Sequence, residues 1–515
     1  MTRERRVPGV VVVLGLLALA AVLRLPNLAT RGAWDADQGH DMLVLRAWVQ
    51  DGVIPLLGPP TSIGDVHHGA LYYYLLAPAA FLTGGDSPLA VVLTIALAGI
   101  AAVGVTWWLA RSIGGAVAGF VAGLVLAVSS SAVDGSTFIW NPNLIALSSA
   151  IALAGAWRAW TTEQPRWWVL AAAGTAVTVQ CHVLGIAMAP VIGGLLVLDW
   201  RRRSERDRRS VARAGIAWLV IVIASYVPLM VHELTNDFSE VQAALAYLRG
   251  GGDAGAAGPL ERFPIVSLRV ISWPLSGLIT EAAVPAVIAA LLVVIIVVLR
   301  WRAPDEGERL AVRWLGLGLL WTCAFLTVAA PSLAVVVPDL PNDHYHAFAD
   351  PMVVILVGLG AGAAWRATGG RGVLTYLPRA VAAAGVVVLC AWNLTTQPPA
   401  VNPDGGFPAA EVAAGRIVAL TGEEPIRLES LPDFKSVDAY GYPLVRDGRS
   451  VNGLSADVAG KNLVIVCDVR FETAIGATCG GPAEDAAAAN EAPGLQLAER
   501  FEASPDGDRI ISVYR

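Results

Sequence analysis

Charged residues are scarce in this sequence. They make up 15% of its 515 residues, while hydrophobic residues make up 55%; a soluble domain usually carries about a quarter charged residues. The chain is therefore predicted to be a polytopic membrane protein. Residues 1–397 carry a net charge of +2, whereas residues 398–515 hold 18 acidic and 10 basic side chains, a net of −8. Since the acidity belongs to the tail, the charge does not suggest a nucleic-acid partner.

Cysteine is also rare, and the five cysteines form no metal-binding pattern. No Cys/His spacing matches a zinc site, no nucleotide-binding glycine motif occurs, and there is no internal repeat of the kind that paired-repeat transporters carry. Three cysteines, Cys181, Cys323 and Cys390, lie in apolar runs, where a thiol usually acts as a small core residue. Cys467 and Cys479 lie in the polar tail and could form a disulfide if that tail is outside the cytoplasm.

Long apolar runs dominate the first 397 residues. A membrane-spanning helix needs about 20 predominantly apolar residues, and eleven runs are candidates. The first run follows a basic start, as in a signal peptide, but no convincing cleavage site follows, so we interpret it as an uncleaved span. The predicted fold is an all-α polytopic membrane protein with about 11 transmembrane helices. The predicted spans are Pro8–Leu23, Pro88–Ala110, Gly115–Val133, Leu144–Trp160, Trp167–Cys181, Leu184–Leu198, Ala212–Val231, Ala282–Leu299, Leu310–Ala329, Ala347–Ala364 and Ala380–Trp392.

The basic residues orient these spans, because Lys and Arg concentrate in cytoplasmic loops. The arginine-rich loop at 201–209 is the strongest signal, and the N-terminal arginines and Arg111 should lie on the same side. These constraints agree only if an odd number of spans separates the opening loop from Arg111. The short run Ala70–Leu82 would reverse every later loop if it crossed the membrane. We therefore predict that it is an interfacial or re-entrant helix of the opening loop.

This orientation places most non-basic polar clusters on the outer side, which a single outward-facing site would explain. The outer segments are residues 24–87, 134–143, a turn near His182, 232–281 and 331–346.

The tail, residues 398–515, follows on the outer side as a predicted soluble domain, separate from the membrane domain of residues 1–397. Its start is rich in Pro, Gly and Asp, which is typical of a linker. One helix-like and three strand-like runs predict a small α/β domain, and an alanine-rich stretch is interpreted as a loop or loose helix. These runs are, in that order, Ala409–Leu420, Ile426–Leu428, Asn462–Cys467, Arg509–Tyr514 and Ala483–Ala492.

Three carboxylates cluster in the opening loop just after the first span. Asp35, Asp37 and Asp41 lie within seven residues, next to Trp34 and His40. A carboxylate beside low-dielectric walls can have its pKa raised and can accept a proton from a hydroxyl group. The alternative is a solvated connector, which composition alone favours.

The same loop carries His67 and His68 directly before the tyrosine-rich run. Adjacent histidines diverge on a strand or a helix, so phosphate binding or interfacial placement is a better interpretation than a metal site.

Further polar and aromatic residues lie in the other outer segments. Trp140 offers a flat face for a sugar ring, and Asn141 and Asn143 can donate and accept hydrogen bonds. The alternative for the Asn141-Pro142 pair is a helix start. His182 and Glu233 lie at predicted outer ends of spans, where ionisable groups tend to face a cavity.

The residues of the opening loop resemble a known family. Asp37-Gln38 after a first span, followed by His68-Gly-Ala-Leu-Tyr-Tyr-Tyr74, is similar to the GT-C membrane glycosyltransferases. The closest likeness is to the protein O-mannosyltransferase and aminoarabinose-transferase group, glycosyltransferase family 39 and its relatives. The likeness covers the span layout of the whole membrane region.

The resemblance implies roles for individual residues. Asp37 matches the family's general base, with Asp35 as a second candidate, and His68 matches the basic residue that approaches the lipid phosphate. Tyr72 and Tyr73 follow on the helix behind it. Two departures stand out, because Gln38 replaces the usual Glu and Gly69-Ala70 replaces Pro-Pro.

A late outer segment resembles the family's Arg-Tyr start of a late span. His344 stands where the Arg would be, and Tyr345 is retained. Since a neutral histidine binds phosphate less well than Arg, Arg262 or Arg269 is expected to supply the missing charge.

The expected function is transfer of a sugar from a polyprenyl-phosphate donor to a glycan, lipid or protein acceptor at the outer face of a bacterial cytoplasmic membrane. The resemblance implies inversion by a single displacement. The absence of a nucleotide-binding motif fits a lipid-linked donor, and no cofactor is implied, although a divalent metal stays open. The alternatives are a transporter or flippase for a lipid-linked or polar solute, or a membrane scaffold that presents the tail.

Overall fold

The computed structural model describes residues 9–61, 66–249, 258–279, 282–335, 343–367, 376–433, 435–455 and 461–515. The part before residue 398 is a helical assembly with one small two-stranded sheet. Its helices are α1 Gly9–Arg24, α2 Leu28–Arg31, α3 Ala36–Asp51, α4 Leu71–Leu82, α5 Pro88–Val128, α6 Ser130–Asp134, α7 Ile145–Thr162, α8 Arg166–Cys181, α9 Met188–Arg202, α10 Glu205–Ala224, α11 Val227–Thr235, α12 Ser239–Arg249, α13 Pro259–Ser276, α14 Ala283–Arg300, α15 Glu306–Ala329, α16 Asp350–Arg366 and α17 Leu377–Thr395; its strands are β1 Leu57–Pro60 and β2 His67–Gly69.

Each of the eleven predicted spans falls on a helix. Seven helices of the described residues are long and apolar enough to cross a membrane, and the bent pair α10 and α11 makes up to eight. The 41-residue α5 contains two predicted spans, which are separated by non-helical backbone at Gly115. The remaining two predicted spans, α1 and α8, have 16 residues each. The expectation of a multi-pass membrane protein is confirmed, with seven or eight helices of the described residues that meet the length and composition of a span.

The tyrosine-rich run forms α4, whose 12 residues end at Leu82. At 1.5 Å per residue the helix is about 18 Å long, short of the roughly 30 Å of a bilayer core. Its length therefore fits a helix that does not cross the membrane.

The longest helix that was not predicted from the sequence is α13. Helix α13 lies within the outer segment 232–281 and packs against α14 and α15. Two prolines and two arginines, among them Arg269, interrupt its apolar pattern, so the sequence does not show a continuous apolar run there. Arg269 is nevertheless buried, because Asp343 pairs with it across the fold.

The C-terminal region, residues 398–515, folds around a four-stranded sheet of order β3-β4-β6-β5. Strands β3 and β4 are parallel, and the other two pairs are antiparallel. The predicted helix and three strands are present; the alanine-rich stretch is a helix, and one strand, β5, was missed. The elements are α18 Gly406–Thr421, β3 Ile426–Leu431, α19 Asp438–Arg446, β4 Asn462–Asp468, α20 Glu472–Ile475, α21 Pro482–Glu491, β5 Leu497–Glu502 and β6 Arg509–Tyr514. Cys467 and Cys479 form a disulfide.

Helix α19 of the C-terminal region packs directly on α3 of the opening loop. The indole of Trp34 donates to the carbonyl of Ala439 at 2.8 Å, and the hydroxyl of Tyr442 donates to the carbonyl of Gly85 at 3.0 Å. At Gly39 the two backbones approach so closely that an added Cβ would collide with the carbonyl of Asp438. A glycine is therefore required at this crossing.

We expect Gly39→Ala to weaken the packing of the C-terminal region on α3. The methyl group must push α19 away, so the midpoint of thermal unfolding should fall and the C-terminal region should be cleaved faster in limited proteolysis. Gly415→Ala is the matched control, because this glycine also lies in a helix and no atom lies within 4 Å of its added Cβ. Its higher helix propensity should leave stability unchanged or raise it by up to about 1 kcal/mol. Equal behaviour of the two variants would contradict the close crossing.

Candidate functional site

The first turn of α3 is fixed by a capping box. Asp35 accepts a hydrogen bond from the amide of Ala36 at 2.8 Å, and the side chain of Gln38 accepts one from the amide of Asp35 at 2.8 Å. The amide group of Gln38 also donates to the carbonyl of Ile139 at 2.9 Å. Gln38 needs both a donor and an acceptor for these two bonds, which a carboxylate cannot supply. The departure from Glu at this position thus has a structural reason.

Asp35 is bound to the C-terminal region. Its carboxylate lies 2.9 Å from the guanidinium of Arg509 and 3.4 Å from that of Arg470. Burial acts to raise the pKa of Asp35, but the charge of Arg509 and the hydrogen bond from Ala36 outweigh it, so the pKa lies below its ordinary value. These contacts favour a structural role for Asp35 over the alternative of a proton acceptor.

Asp37 has different surroundings, although it lies only two residues further on. Its side chain is accessible to solvent, and its pKa is raised by the partial loss of hydration among the surrounding protein atoms and by the charge of Asp35. Lys435, His40 and a hydrogen bond from Trp140 act in the opposite direction without reversing the shift. An accessible carboxylate with a raised pKa has the properties of a general base.

Asp41, the third carboxylate of the predicted cluster, lies one turn beyond Asp37 and was given no role of its own in the predicted site. It is buried, and it accepts hydrogen bonds from the hydroxyls of Tyr72 and Tyr73 at 2.8 and 2.7 Å. Burial raises the pKa of Asp41 to about 7. The two tyrosines were expected behind the phosphate contact; they are buried and join α4 to α3 through this carboxylate.

Three of the four predicted site histidines, His68, His182 and His344, lie together although they come from separate parts of the chain. The ring centroids of His68 and His182 are 4.9 Å apart, and those of His182 and His344 are 5.6 Å apart. The ring centroids of Trp140 and His344 are 4.2 Å apart, and those of Tyr345 and His182 are 5.0 Å apart. We call these five residues the histidine cluster. Because Trp140 is also close enough to Asp37 to lower the pKa of its carboxyl group, the cluster and the carboxylate border one another in a single site.

The buried imidazoles of the cluster are uncharged in the free protein. Burial, followed by the charge of His67, lowers the pKa of His68 to about 4. Burial and the neighbouring His68 and His344 lower the pKa of His182 further. Nδ1 of His68 is buried and has no hydrogen-bond partner among the described residues. An unpaired buried nitrogen is costly, so the cluster has capacity for a polar ligand.

Other predicted site residues are held by the protein itself. His67 binds Glu240 through its backbone amide at 2.7 Å and its ring at 2.9 Å. Glu233 accepts hydrogen bonds from the amides of Glu240 and Val241, at the start of α12. These contacts hold α12 against β2 and α11. The side chains of His67 and Glu233 therefore stabilise the position of α12.

Asn141 and Asn143 are likewise engaged with the backbone. Asn141 donates to the carbonyl of Cys181, and Asn143 donates to the carbonyl of Phe138 at 2.9 Å. Asn141 also begins a short 3₁₀ helix at residues 141–144. These contacts agree with the interpretation of this segment as a helix start. Of the three predicted residues in the segment, only Trp140 belongs to the histidine cluster.

Two arginines of α13 were candidates for the missing cation. Arg269 pairs with both oxygens of Asp343, at 3.0 and 2.7 Å, and donates to the carbonyl of Leu333. It is therefore fully engaged. Arg262 lies seven residues earlier, about two turns away on the same helix face, and its Nε and Nη1 are buried without a hydrogen-bond partner in the described parts of the chain. Arg262 is thus the better candidate.

No group of three or more His, Cys, Asp or Glu side chains within the described ranges is arranged to hold a metal ion.

Comparison with known proteins gives a consistent picture. The family model of the dolichyl-phosphate-mannose-protein mannosyltransferases matches residues 67–228, and comparison with curated proteins found no match. The fold is similar to that of ArnT from Cupriavidus metallidurans in the apo state, with a TM-score of 0.59 at 15% identity over 98% of this chain and 97% of that chain.

Two further structures are similar. ArnT from the same organism bound to undecaprenyl phosphate gives a TM-score of 0.54 at 16% identity over 98% and 97% of the two chains. The oligosaccharyltransferase of Archaeoglobus fulgidus, tethered to an acceptor peptide, gives 0.50 at 12% identity over 91% of this chain and 70% of that one. The chain therefore has the fold of the GT-C membrane glycosyltransferases, and its resemblance to the protein O-mannosyltransferase and aminoarabinose-transferase group is confirmed.

Proposed function

We propose that this protein transfers a sugar from a polyprenyl-phosphate donor to a hydroxyl-bearing acceptor at the outer face of a bacterial cytoplasmic membrane. The observation that carries the proposal is the continuity of the site from Asp37 through Trp140 to the histidine cluster. One end of this site offers a base and the other end offers hydrogen-bond donors to an anion. A glycosyl transfer from a lipid phosphate needs both, separated by the width of a sugar.

Asp37 acts on the acceptor. Its carboxylate accepts the proton of the acceptor hydroxyl while that oxygen forms a bond to the anomeric carbon. The bond between the anomeric carbon and the phosphate oxygen breaks in the same displacement, and the lipid phosphate leaves with the electron pair. Because attack comes from the side opposite to the phosphate, the configuration inverts. The raised pKa of Asp37 makes it a stronger base than an ordinary aspartate.

The histidine cluster and Arg262 act on the leaving phosphate. His68, His182 and His344 each offer a ring nitrogen to its oxygens, and Arg262 adds a permanent charge. An anion among buried imidazoles favours their protonated form, so the cluster becomes more positive as the phosphate binds. Fixed donors in a water-poor site stabilise developing charge more strongly than water does.

Trp140 lies between these two ends, where the sugar would be held. The centroid of its indole ring lies 4.2 Å from that of His344, and the indole also acts on the pKa of Asp37. A flat aromatic face suits the apolar face of a sugar ring. The C-terminal region lies beside the same place, because the charge of Lys435 acts to lower the pKa of Asp37. The acceptor would enter between this region and the membrane helices.

Two features support the outward orientation. Lys and Arg concentrate at the opposite ends of the spans, as in the loop at 201–209. The disulfide between Cys467 and Cys479 is typical of an oxidising compartment outside the cytoplasm. The similarity to a protein described as bound to undecaprenyl phosphate supports a polyprenyl-phosphate donor.

We expect Asp37→Asn to lower the transfer rate about 10²- to 10⁴-fold, the usual contribution of a general base. The measurement is transfer of labelled sugar from polyprenyl-phosphate donors by the purified protein, together with donor binding, which should be retained. Asp35→Asn is the matched control and should lose less activity. Full activity of Asp37→Asn with normal donor binding would show that Asp37 is not the base.

The raised pKa of Asp37 also predicts a pH dependence. A base must be ionised, so activity should be complete above this pKa and should be lost as the pH falls through it. Arg509→Gln leaves the charge of Asp35 less compensated, which should raise the pKa of Asp37 further and move the acidic limb of the pH profile to higher pH. Arg427→Gln, which removes a pair with Glu429 and Glu491 within the C-terminal region, should leave the limb in place. An unmoved limb in Arg509→Gln would contradict the coupling.

Arg262→Gln should weaken donor binding. Loss of a charged hydrogen-bond donor to phosphate costs about 1.5–3 kcal/mol, so KM for the donor should rise roughly ten-fold or more. Arg249→Gln, at an exposed position on the neighbouring α12, should leave KM unchanged. Equal KM values for the two variants would exclude Arg262 from the phosphate site.

A further inference from the structure

One cavity among the described residues lies away from the histidine cluster. It has a volume of about 450 Å³ and lies between α5, α7 and α8. Trp167 in its wall is 14 residues from the end of α8 at Cys181, which corresponds to about 21 Å along the helix. A phosphate bound at the histidine cluster therefore cannot reach this cavity, and the proposed sugar transfer leaves it unexplained.

Apolar side chains form most of the cavity wall, with one cation at its edge. Val105, Ile151 and Leu170 contribute aliphatic surface. The guanidinium of Arg158 lies 5.8 Å from the ring centroid of Trp108 and 5.6 Å from that of Trp167. Two aromatic faces hold a cation in place by cation–π attraction without neutralising it.

The charge of Arg158 has no carboxylate partner in the described ranges. Glu163, the acid nearest in sequence, pairs instead with Arg202 and Arg203. Arg166 also lies near this part of the wall, with its guanidinium 5.4 Å from the ring centroid of Trp167. The cavity therefore combines an apolar interior with an uncompensated positive rim.

An apolar interior with a positively charged rim is suited to a ligand that has both an apolar part and a negative charge. A water-soluble anion would match the arginine but would not use the apolar wall, and a neutral lipid would leave the positive rim unmatched. Arg158 lies near the end of the predicted span Leu144–Trp160. Because residues 134–143 before this span are predicted to be on the outer side, Arg158 lies near the cytoplasmic surface in the same orientation. The cytoplasmic leaflet of a membrane is rich in anionic lipids, which basic residues attract.

We propose that this cavity binds an anionic phospholipid of the cytoplasmic leaflet, with its headgroup phosphate on Arg158 and one acyl chain between α5, α7 and α8. The site is independent of the sugar-transfer site and contributes to holding the inner ends of these three helices together. Arg166 provides a second contact for the headgroup at the rim.

The test is native mass spectrometry of the full-length protein titrated with dioleoyl-phosphatidylglycerol or dioleoyl-phosphatidylcholine. We expect the wild type to bind phosphatidylglycerol more tightly. Arg158→Gln should weaken that binding about five-fold, as expected from roughly 1 kcal/mol per basic residue, and should leave phosphatidylcholine binding unchanged. Arg313→Gln is the matched control, because Arg313 also lies over a tryptophan, Trp301, at 5.7 Å but not at the cavity.

Two further variants separate the charge from the fold. Arg158→Lys keeps a positive charge and should bind phosphatidylglycerol nearly as the wild type does, even if Arg158→Gln fails to fold. Ile151→Trp fills the cavity and should reduce binding of both lipids. Equal affinity of the wild type for the two lipids, or equal losses in Arg158→Gln and Arg313→Gln, would overturn the proposal. Displacement of phosphatidylglycerol by undecaprenyl phosphate at one-to-one stoichiometry would also overturn it, because the site would then belong to the donor.

Discussion

The anchoring of the first turns of α3 from three directions is the constraint on which the site depends. Asp35 is bound by Arg509 at the start of β6, His40 lies 2.9 Å from Asp438 of α19, and Gln38 donates to the carbonyl of Ile139. A carboxylate that is already paired favours its ionised form, so Asp35 stays charged and its repulsion acts on Asp37. The C-terminal region thereby makes two aspartates of one helical turn chemically different.

Buried polar groups divide into those that the protein satisfies and those that it does not. Asp343 satisfies Arg269, Glu240 satisfies His67, and Asp41 binds Tyr72 and Tyr73. Such pairs are stable because each partner offsets the desolvation of the other. Among the described residues, Nδ1 of His68 and two nitrogens of Arg262 lack such partners. Both of these residues can donate hydrogen bonds, and Arg262 carries a positive charge, so an anionic ligand would satisfy them.

The sequence indicated the helices and the grouping of site residues, but it could not assign contacts that depend on distant parts of the chain. Apolar runs predict membrane-spanning helices directly. The predicted topology also places His68, His182 and His344 on the same side of the membrane, which agrees with their proximity in the structure. The partner of Asp35 lies 474 residues away, and no local pattern reports it. The roles of His67 and Glu233 depend on α12. Helix α13 was not predicted because prolines and arginines interrupt its apolar pattern, and the partner that lets Arg269 be buried, Asp343, lies 74 residues away.

A structure determined by electron cryo-microscopy with polyprenyl phosphate bound tests the central claim most directly, because it locates the phosphorus atom without reference to activity. We expect the phosphate within hydrogen-bond reach of His68 or His344, the lipid chain leaving between the spans, and Trp140 between the phosphate and Asp37. A phosphate bound beside Arg158, or on the outer side of α3 with Asp37 turned away from it, would contradict the assignment of this site to sugar transfer.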